Sequence, residues 1–387
     1  MIKKIPIVAC PIRLRDIFSQ SACGRKDLQE ALVKLTHTRH VYFTNSGTSS
    51  FFVILEALKK LSGKKEVVLP AYTASALIYA IQKAGLKALL CDISLDDFNM
   101  DARLLEAAVS ANTLCLVGVH MFGMVQRGLK ETKAKFPNVF VVEDCAQAMG
   151  SRFENVGVGD IGDISFFSFN RGKNIPTYGG GCIATGNEKI AKAVEITLKE
   201  LGITGRGRSM DTMVAMKMLG LCVAGNPWAY GLLSPLISGF KELAAQEDFK
   251  IADYSEFQVK IAFSLLQKIN DFSKKRYENG MKLIEGLKGY DALLLPEIPK
   301  DTEPAFNRLP VLFKDLNKKE AAEKNLRQAG IETSRMYERP LHQLFELGYR
   351  KEDFPNATYF AEHLLTFPVH PLVKEEDLLK MIEVIRR

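Results

Sequence analysis

Across its first half the chain repeats one unit: a short apolar run, a turn of small polar residues, then a stretch with apolar residues at helical spacing. The runs are 41–43, 67–69, 86–91, 114–120 and 139–143, and helical patterns at about 50–61, 75–84, 104–109 and 129–136 separate them. Strands spaced by helices cannot pair as hairpins. Each helix carries the chain back across the sheet in a right-handed crossover, so the strands lie parallel. The expected fold is therefore α/β with a largely parallel sheet. At 387 residues and 47% hydrophobic, the chain can bury a large core and divide into two domains.

Open sheets of this kind bind ligands at the carboxyl ends of their strands. Run 139–143 ends on Asp144. A further run, 164–168, leads into a turn that presents Lys173, with the glycines 179–181 just beyond. A lone lysine after a strand is ordinarily a solvated loop charge. Beside a second strand end that carries a carboxylate, it places an amine and an acid at one sheet edge. The run 41–43 passes into Thr44-Asn45-Ser46-Gly47-Thr48-Ser49-Ser50 and a helix, a layout that points backbone N–H groups at an anion. Gly47 permits close approach and Thr48 adds a hydroxyl, although an ordinary N-cap has the same composition. His120, at another strand end, reads equally as a site residue or as a hydrogen-bonded histidine.

These parts match the needs of pyridoxal 5'-phosphate. That cofactor requires a lysine to hold it, a carboxylate at its ring nitrogen and a cradle for its phosphate. Lys173, Asp144 and Gly47-Thr48 supply them in turn. Ser168 can add a bond to phosphate, and Gln147 can reach the ring's phenolic oxygen.

Charge and cysteine usage exclude other classes. The formal charge is +7, but Lys and Arg are dispersed with no block of like charge, which speaks against a nucleic-acid partner. Seven cysteines include no C-x-x-C pair, so free thiols in a reducing, cytoplasmic setting are expected, with no metal site. Segment 205–246 is apolar and rich in methionine, yet Lys217, Gly225, Pro227 and Pro235 interrupt it. Two short helices over the site mouth or a dimer interface are expected there, in preference to contact with a membrane surface. Residues 256–287 read as one long helix. A strand near 308–313 and helices at 318–329 and 375–385 then make a compact α+β unit, giving a large domain over 1–250 and a small one over 251–387.

The motifs together resemble the DegT/DnrJ/StrS aminotransferases. Ser46-Gly47-Thr48 looks like that family's phosphate turn, and Glu143-Asp144-Cys145-Ala146-Gln147-Ala148-Met149-Gly150 like its acid motif. The stretch from Gly162-Asp163-Ile164 through Ser168-Phe169 to Lys173-Asn174 is similar to its lysine motif. Gly330-Ile331-Glu332-Thr333, Tyr337, Pro340-Leu341-His342 and Phe367-Pro368-Val369-His370 resemble its small-domain signatures. The resemblance implies the fold type I architecture with a mostly parallel seven-stranded sheet, and a homodimer with sites at the interface. It also implies glutamate as amino donor and a nucleotide-linked keto sugar as acceptor, as in polysaccharide or antibiotic sugar biosynthesis. Arg206, Arg208, Arg335, Tyr337 and His342 are candidates for donor or substrate contacts.

Three departures stand out. The family often places an aromatic ring where this chain has Ala74, so Tyr72 is the candidate to stack on the cofactor. No asparagine occurs in 251–255, where many members use one to reach the partner's phosphate. Segment 205–246 is longer and more apolar than the family pattern. Sugar dehydratases of the family resemble this chain with histidine at the lysine position, so Lys173 argues for amino transfer. The rival readings are another reaction of the same cofactor, lyase or dehydratase, and a non-catalytic regulatory or membrane-associated protein that keeps the fold.

Overall fold

Seven strands form the central sheet: β1 (His40–Thr44), β2 (Glu66–Pro70), β3 (Lys87–Cys91), β4 (Thr113–Val119), β5 (Phe140–Asp144), β6 (Ile164–Ser168) and β7 (Gly181–Thr185). Their order across the sheet is β1-β7-β6-β5-β4-β2-β3. Neighbours from β3 to β6 pair in parallel, whereas β7 runs antiparallel to both β6 and β1. The structure is a computed structural model, and it describes residues 3–18, 23–205, 212–238 and 248–387.

The sheet is mostly parallel because helices cover both of its faces, and its central strands show the consequence. Every residue of β4 is buried, as expected of a strand with no solvent side. The helix Gly47–Leu61 is buried all round, from Phe51 through Leu55 without a break, between the sheet and its neighbouring helices. Phe51 meets Phe166 of β6 with ring centroids 5.2 Å apart. Each such side chain contributes about 1.5–3 kcal/mol on burial, so this helix is fixed firmly and its N-terminus with it.

A second, three-stranded antiparallel sheet follows, made of Leu293–Leu294, Leu309–Phe313 and Leu364–Phe367. Its helix Pro355–His363 carries Phe360 into the first part of the chain. The Phe360 ring lies 4.7 Å from Tyr72 and 4.9 Å from Phe98. Residues 256–287, expected as one helix, form two, Glu256–Leu266 and Ile269–Leu287. The break falls at Lys268, which leaves helical geometry (φ −108°, ψ 3°) and bonds the buried Asp16 through Nζ at 2.5 Å. Segment 205–246 contributes the helices Thr212–Ala224 and Pro227–Ser238. Among the described residues no helix is long and apolar enough to cross a membrane.

The glycines 179–181 are a packing requirement. Gly180 holds φ at +99°, and a Cβ there would stand 2.1 Å from Cε2 of Tyr254; at Gly181 it would stand 2.5 Å from the Ser46 carbonyl carbon. Tyr254 is itself stacked on Phe169 and bonded to Thr177 at 2.7 Å, so it has no room to withdraw. Gly180→Ala combines left-handed strain with overpacking. It is expected to destabilise the protein by about 3 kcal/mol, read as a lowered denaturant midpoint.

Candidate active site

β5 and β6 lie side by side, with Asp144 opposite Phe166, so the acid and the turn that follows β6 open at the same sheet edge. Asp144 is buried. One carboxylate oxygen accepts a bond from Ala146 N–H at 2.9 Å, and the other has no partner among the described residues. Burial pushes its pKa up, while the nearby Lys173 and His120 oppose that shift. An acid so placed gains most from a cationic N–H brought to its open oxygen.

Lys173 sits in a turn clamped on both sides. The side chain of Asn307 donates to the carbonyl of Gly172 at 2.6 Å. Asn174 donates to the carbonyls of Met149 and Ala305 at 2.8 and 3.0 Å. Its Nζ makes no hydrogen bond or ion pair among the described residues. Burial pushes the Lys173 ammonium down to about 8; the Arg308 charge works in the same direction and Asp144 against it. The Lys173 side chain is half-buried, as suits an amine that lines a cavity. It reaches its neutral, nucleophilic form far more readily than a solvated lysine.

The turn ahead of the helix Gly47–Leu61 meets the end of β6. Ser46 caps the helix by accepting the Ser49 N–H at 3.0 Å. A Cβ on Gly47 would stand 2.9 Å from Cβ of Ser168, so only glycine allows this approach. The N–H and hydroxyl of Thr48 have no partner among the described residues. Gln147 is buried, with its amide nitrogen on Sδ of Met121 at 3.3 Å and its oxygen without a partner among the described residues. A buried amide so poorly satisfied is costly. The open oxygen of Asp144, the half-paired Gln147 and the uncapped Thr48 fit the nitrogen, phenolic oxygen and phosphate of pyridoxal 5'-phosphate.

The remaining sequence candidates are dispersed. Tyr72 is built into the core, with its ring against Phe360 and its hydroxyl accepting from Tyr337 N–H at 3.3 Å. Ala74 is partly exposed. Tyr337 feels the charges of Arg308 and Asp144, which places it near the acid. Arg335 is held by Glu323 at 2.6 Å, and His342 bonds the Lys351 carbonyl at 3.1 Å; neither lines the cavity at Lys173. Arg206 and Arg208 lie outside the described residues. His120 is fully buried, takes a bond from Gln126 N–H at Nδ1 and meets Glu143 at 3.0 Å through Nε2. Glu143 also accepts the N–H groups of Gly159, Ile161 and Gly162, so both of its carboxylate oxygens are taken by the protein itself.

The sequence did not single out the other residues that line the Lys173 cavity. A cavity of about 500 Å³ is lined by Lys173, Arg171, Lys217, Tyr230, Arg308 and Glu332 among others. Lys217 and Tyr230 come from the two helices of segment 205–246, and Arg308 stands just before the strand Leu309–Phe313. The signals available in the sequence were Arg308 at the start of a predicted strand and the pair of short helices expected from 205–246 over the site mouth or a dimer interface.

A model of the DegT/DnrJ/EryC1/StrS aminotransferase family matches residues 19–386. The spore coat polysaccharide biosynthesis protein SpsC of Bacillus subtilis is 26% identical, covering 90% of this chain and 85% of its own. The UDP-N-acetyl-3-dehydro-alpha-D-glucosamine 3-aminotransferase of Acidithiobacillus ferrooxidans is also 26% identical, over 93% and 87%. The PLP-form of the putative sugar aminotransferase Spr1654 from Streptococcus pneumoniae superposes with a TM-score of 0.77 at 21% identity, covering 99% and 98%.

Proposed function

The chain belongs to the DegT/DnrJ/EryC1/StrS aminotransferase family, and from that premise we propose that it uses pyridoxal 5'-phosphate to move an amino group from glutamate to a nucleotide-linked keto sugar. The carrying observation is the pairing at one sheet edge of a lysine with a depressed pKa and a buried acid with an open oxygen. The activity of the Acidithiobacillus ferrooxidans relative, a UDP-sugar 3-aminotransferase, supports the acceptor class, and the solved PLP-form of a fold relative supports the cofactor.

In this reading the cofactor, when bound, supplies an electron sink that eases proton loss from the amine-bearing carbon. Asp144 holds the proton on the ring nitrogen, and Gln147 bonds the phenolic oxygen. Gly47, Thr48 and Ser168 receive the phosphate at the helix N-terminus. Lys173 anchors the cofactor and then carries a proton to or from the amine-bearing carbon. Segment 1–250 supplies this machinery, 251–387 closes the site, and two copies form the working homodimer in the cytoplasm. The seven cysteines are free thiols, which suits that compartment.

Incubating the loaded protein with glutamate tests the reading. The expected result is loss of the visible cofactor band with release of one 2-oxoglutarate per site. A panel of nucleotide-linked keto sugars should then restore the band. No response to glutamate or any other α-amino acid would instead favour a lyase or a non-catalytic protein.

A further inference from the structure

The geometry points to Arg308 as the residue that receives the carboxylate of the amino donor, which makes it a specificity determinant for α-amino acids. This rests on the aminotransferase reading above.

Arg308 lines the same cavity as Lys173. Its Nε donates to Oδ1 of Asn307 at 3.2 Å, and it makes no ion pair among the described residues. The rest of its planar fork is therefore left to the cavity. A guanidinium in such a crowded setting is costly without an anion, and burial pushes its pKa down from the usual arginine range. The acidic residue of the cavity, Glu332, already accepts from Tyr230 Oη at 2.7 Å and Ile7 N–H at 3.3 Å.

Arg308 is also held in register with the lysine. Asn307 accepts from Arg308 through one side-chain atom and donates to Gly172, beside Lys173, through the other. Behind it, the buried Arg276 donates to the carbonyls of Phe306 and Asn307 at 3.0 and 3.2 Å. Neither Arg171 nor Lys217 shares this brace. Lys217 lies over the ring of Tyr178, 5.6 Å from its centroid.

Chemistry selects the anion. Every α-amino acid bears a carboxylate on the same carbon as the amine that is exchanged at Lys173, so that charge enters the cavity in each cycle. The cofactor's phosphate is accounted for at Gly47 and Ser168, and a keto sugar needs no anion beside its reacting carbonyl. A braced guanidinium offers the two parallel N–H donors that a carboxylate accepts.

The test compares the loaded wild-type protein with Arg308→Gln and Arg308→Lys. It measures glutarate binding by calorimetry and glutamate dependence by loss of the cofactor band. Arg308→Gln should raise the glutarate Kd and the half-saturating glutamate concentration by about thirtyfold. Arg308→Lys should fall between, and the acceptor's KM should stay unchanged. Unchanged glutarate and glutamate constants in a cofactor-loaded variant would overturn the assignment. So would a shift confined to the keto-sugar acceptor, which would give the anion to that substrate, or failure of both variants to load cofactor, which would make Arg308 structural. A wild-type protein that ignores every α-amino acid defeats the aminotransferase reading itself, a result visible before any variant is compared.

Discussion

Lys173→Ala is expected to lower amino transfer from glutamate by about four orders of magnitude and to remove the cofactor's lysine-bound absorbance altogether. The loss has two sources. In this reading the amine is the group that holds the cofactor covalently, and its removal also deletes the proton carrier at the amine-bearing carbon. Structural damage should be small, because Lys173 Nζ makes no hydrogen bond among the described residues and the turn is held by Asn174 and Asn307. The wild-type lysine adds a pH signature. A lysine pushed down to about 8 becomes half neutral near that pH, so capture of pyridoxal phosphate by the apoprotein should rise as pH climbs through 8. A solvated lysine would give this rise some two units higher, near 10.4. Stopped-flow absorbance over pH 6 to 10 reads it, and a midpoint near 10 would contradict the buried setting of Lys173. Retained transfer in Lys173→Ala would remove this residue from the chemistry.

Much of the site was legible because it stands on adjacent strand ends. Once the apolar runs and their helices fix a parallel sheet, Asp144 and the turn after β6 come to one edge through backbone pairing alone. Gly47 and Ser168 meet for a related reason: β1 and β6 flank β7, and the glycines at the start of β7 let the turn after β1 approach. Periodicity carries this kind of information. It does not carry contacts between distant segments. Asn307 and Gly172 are 135 residues apart, and only the docking of the second sheet brings them together. The same limit explains Arg335, whose charge looked available until the helix Leu316–Gln328 supplied Glu323. It also hides the Lys268–Asp16 pair that sits at the helix break, since the two residues are 252 apart. Tyr72 looked like a stacking ring at a strand end, but the incoming Phe360 locks it into the core.

Asp144→Asn separates chemistry from stability in a way that a merely structural acid would not. Burial raises the pKa of Asp144 in the folded protein. Its contribution to stability is therefore fully present below the unfolded carboxyl range and is lost as pH rises through the folded value. Above that folded value the ionised form gives the empty fold no support, and asparagine keeps the shape without the charge. The cofactor-free variant should thus melt at or above the wild-type temperature. Loaded with cofactor, the order reverses. Asparagine cannot hold the ring nitrogen in its protonated form, so the transferring rate is expected to fall by about two to three orders of magnitude. Thermal melts of the empty protein and single-turnover rates with glutamate, taken on the same preparation, read both effects. A variant that loses stability while empty and keeps its rate when loaded would recast Asp144 as a structural residue, and the pairing with Lys173 would lose its chemical meaning.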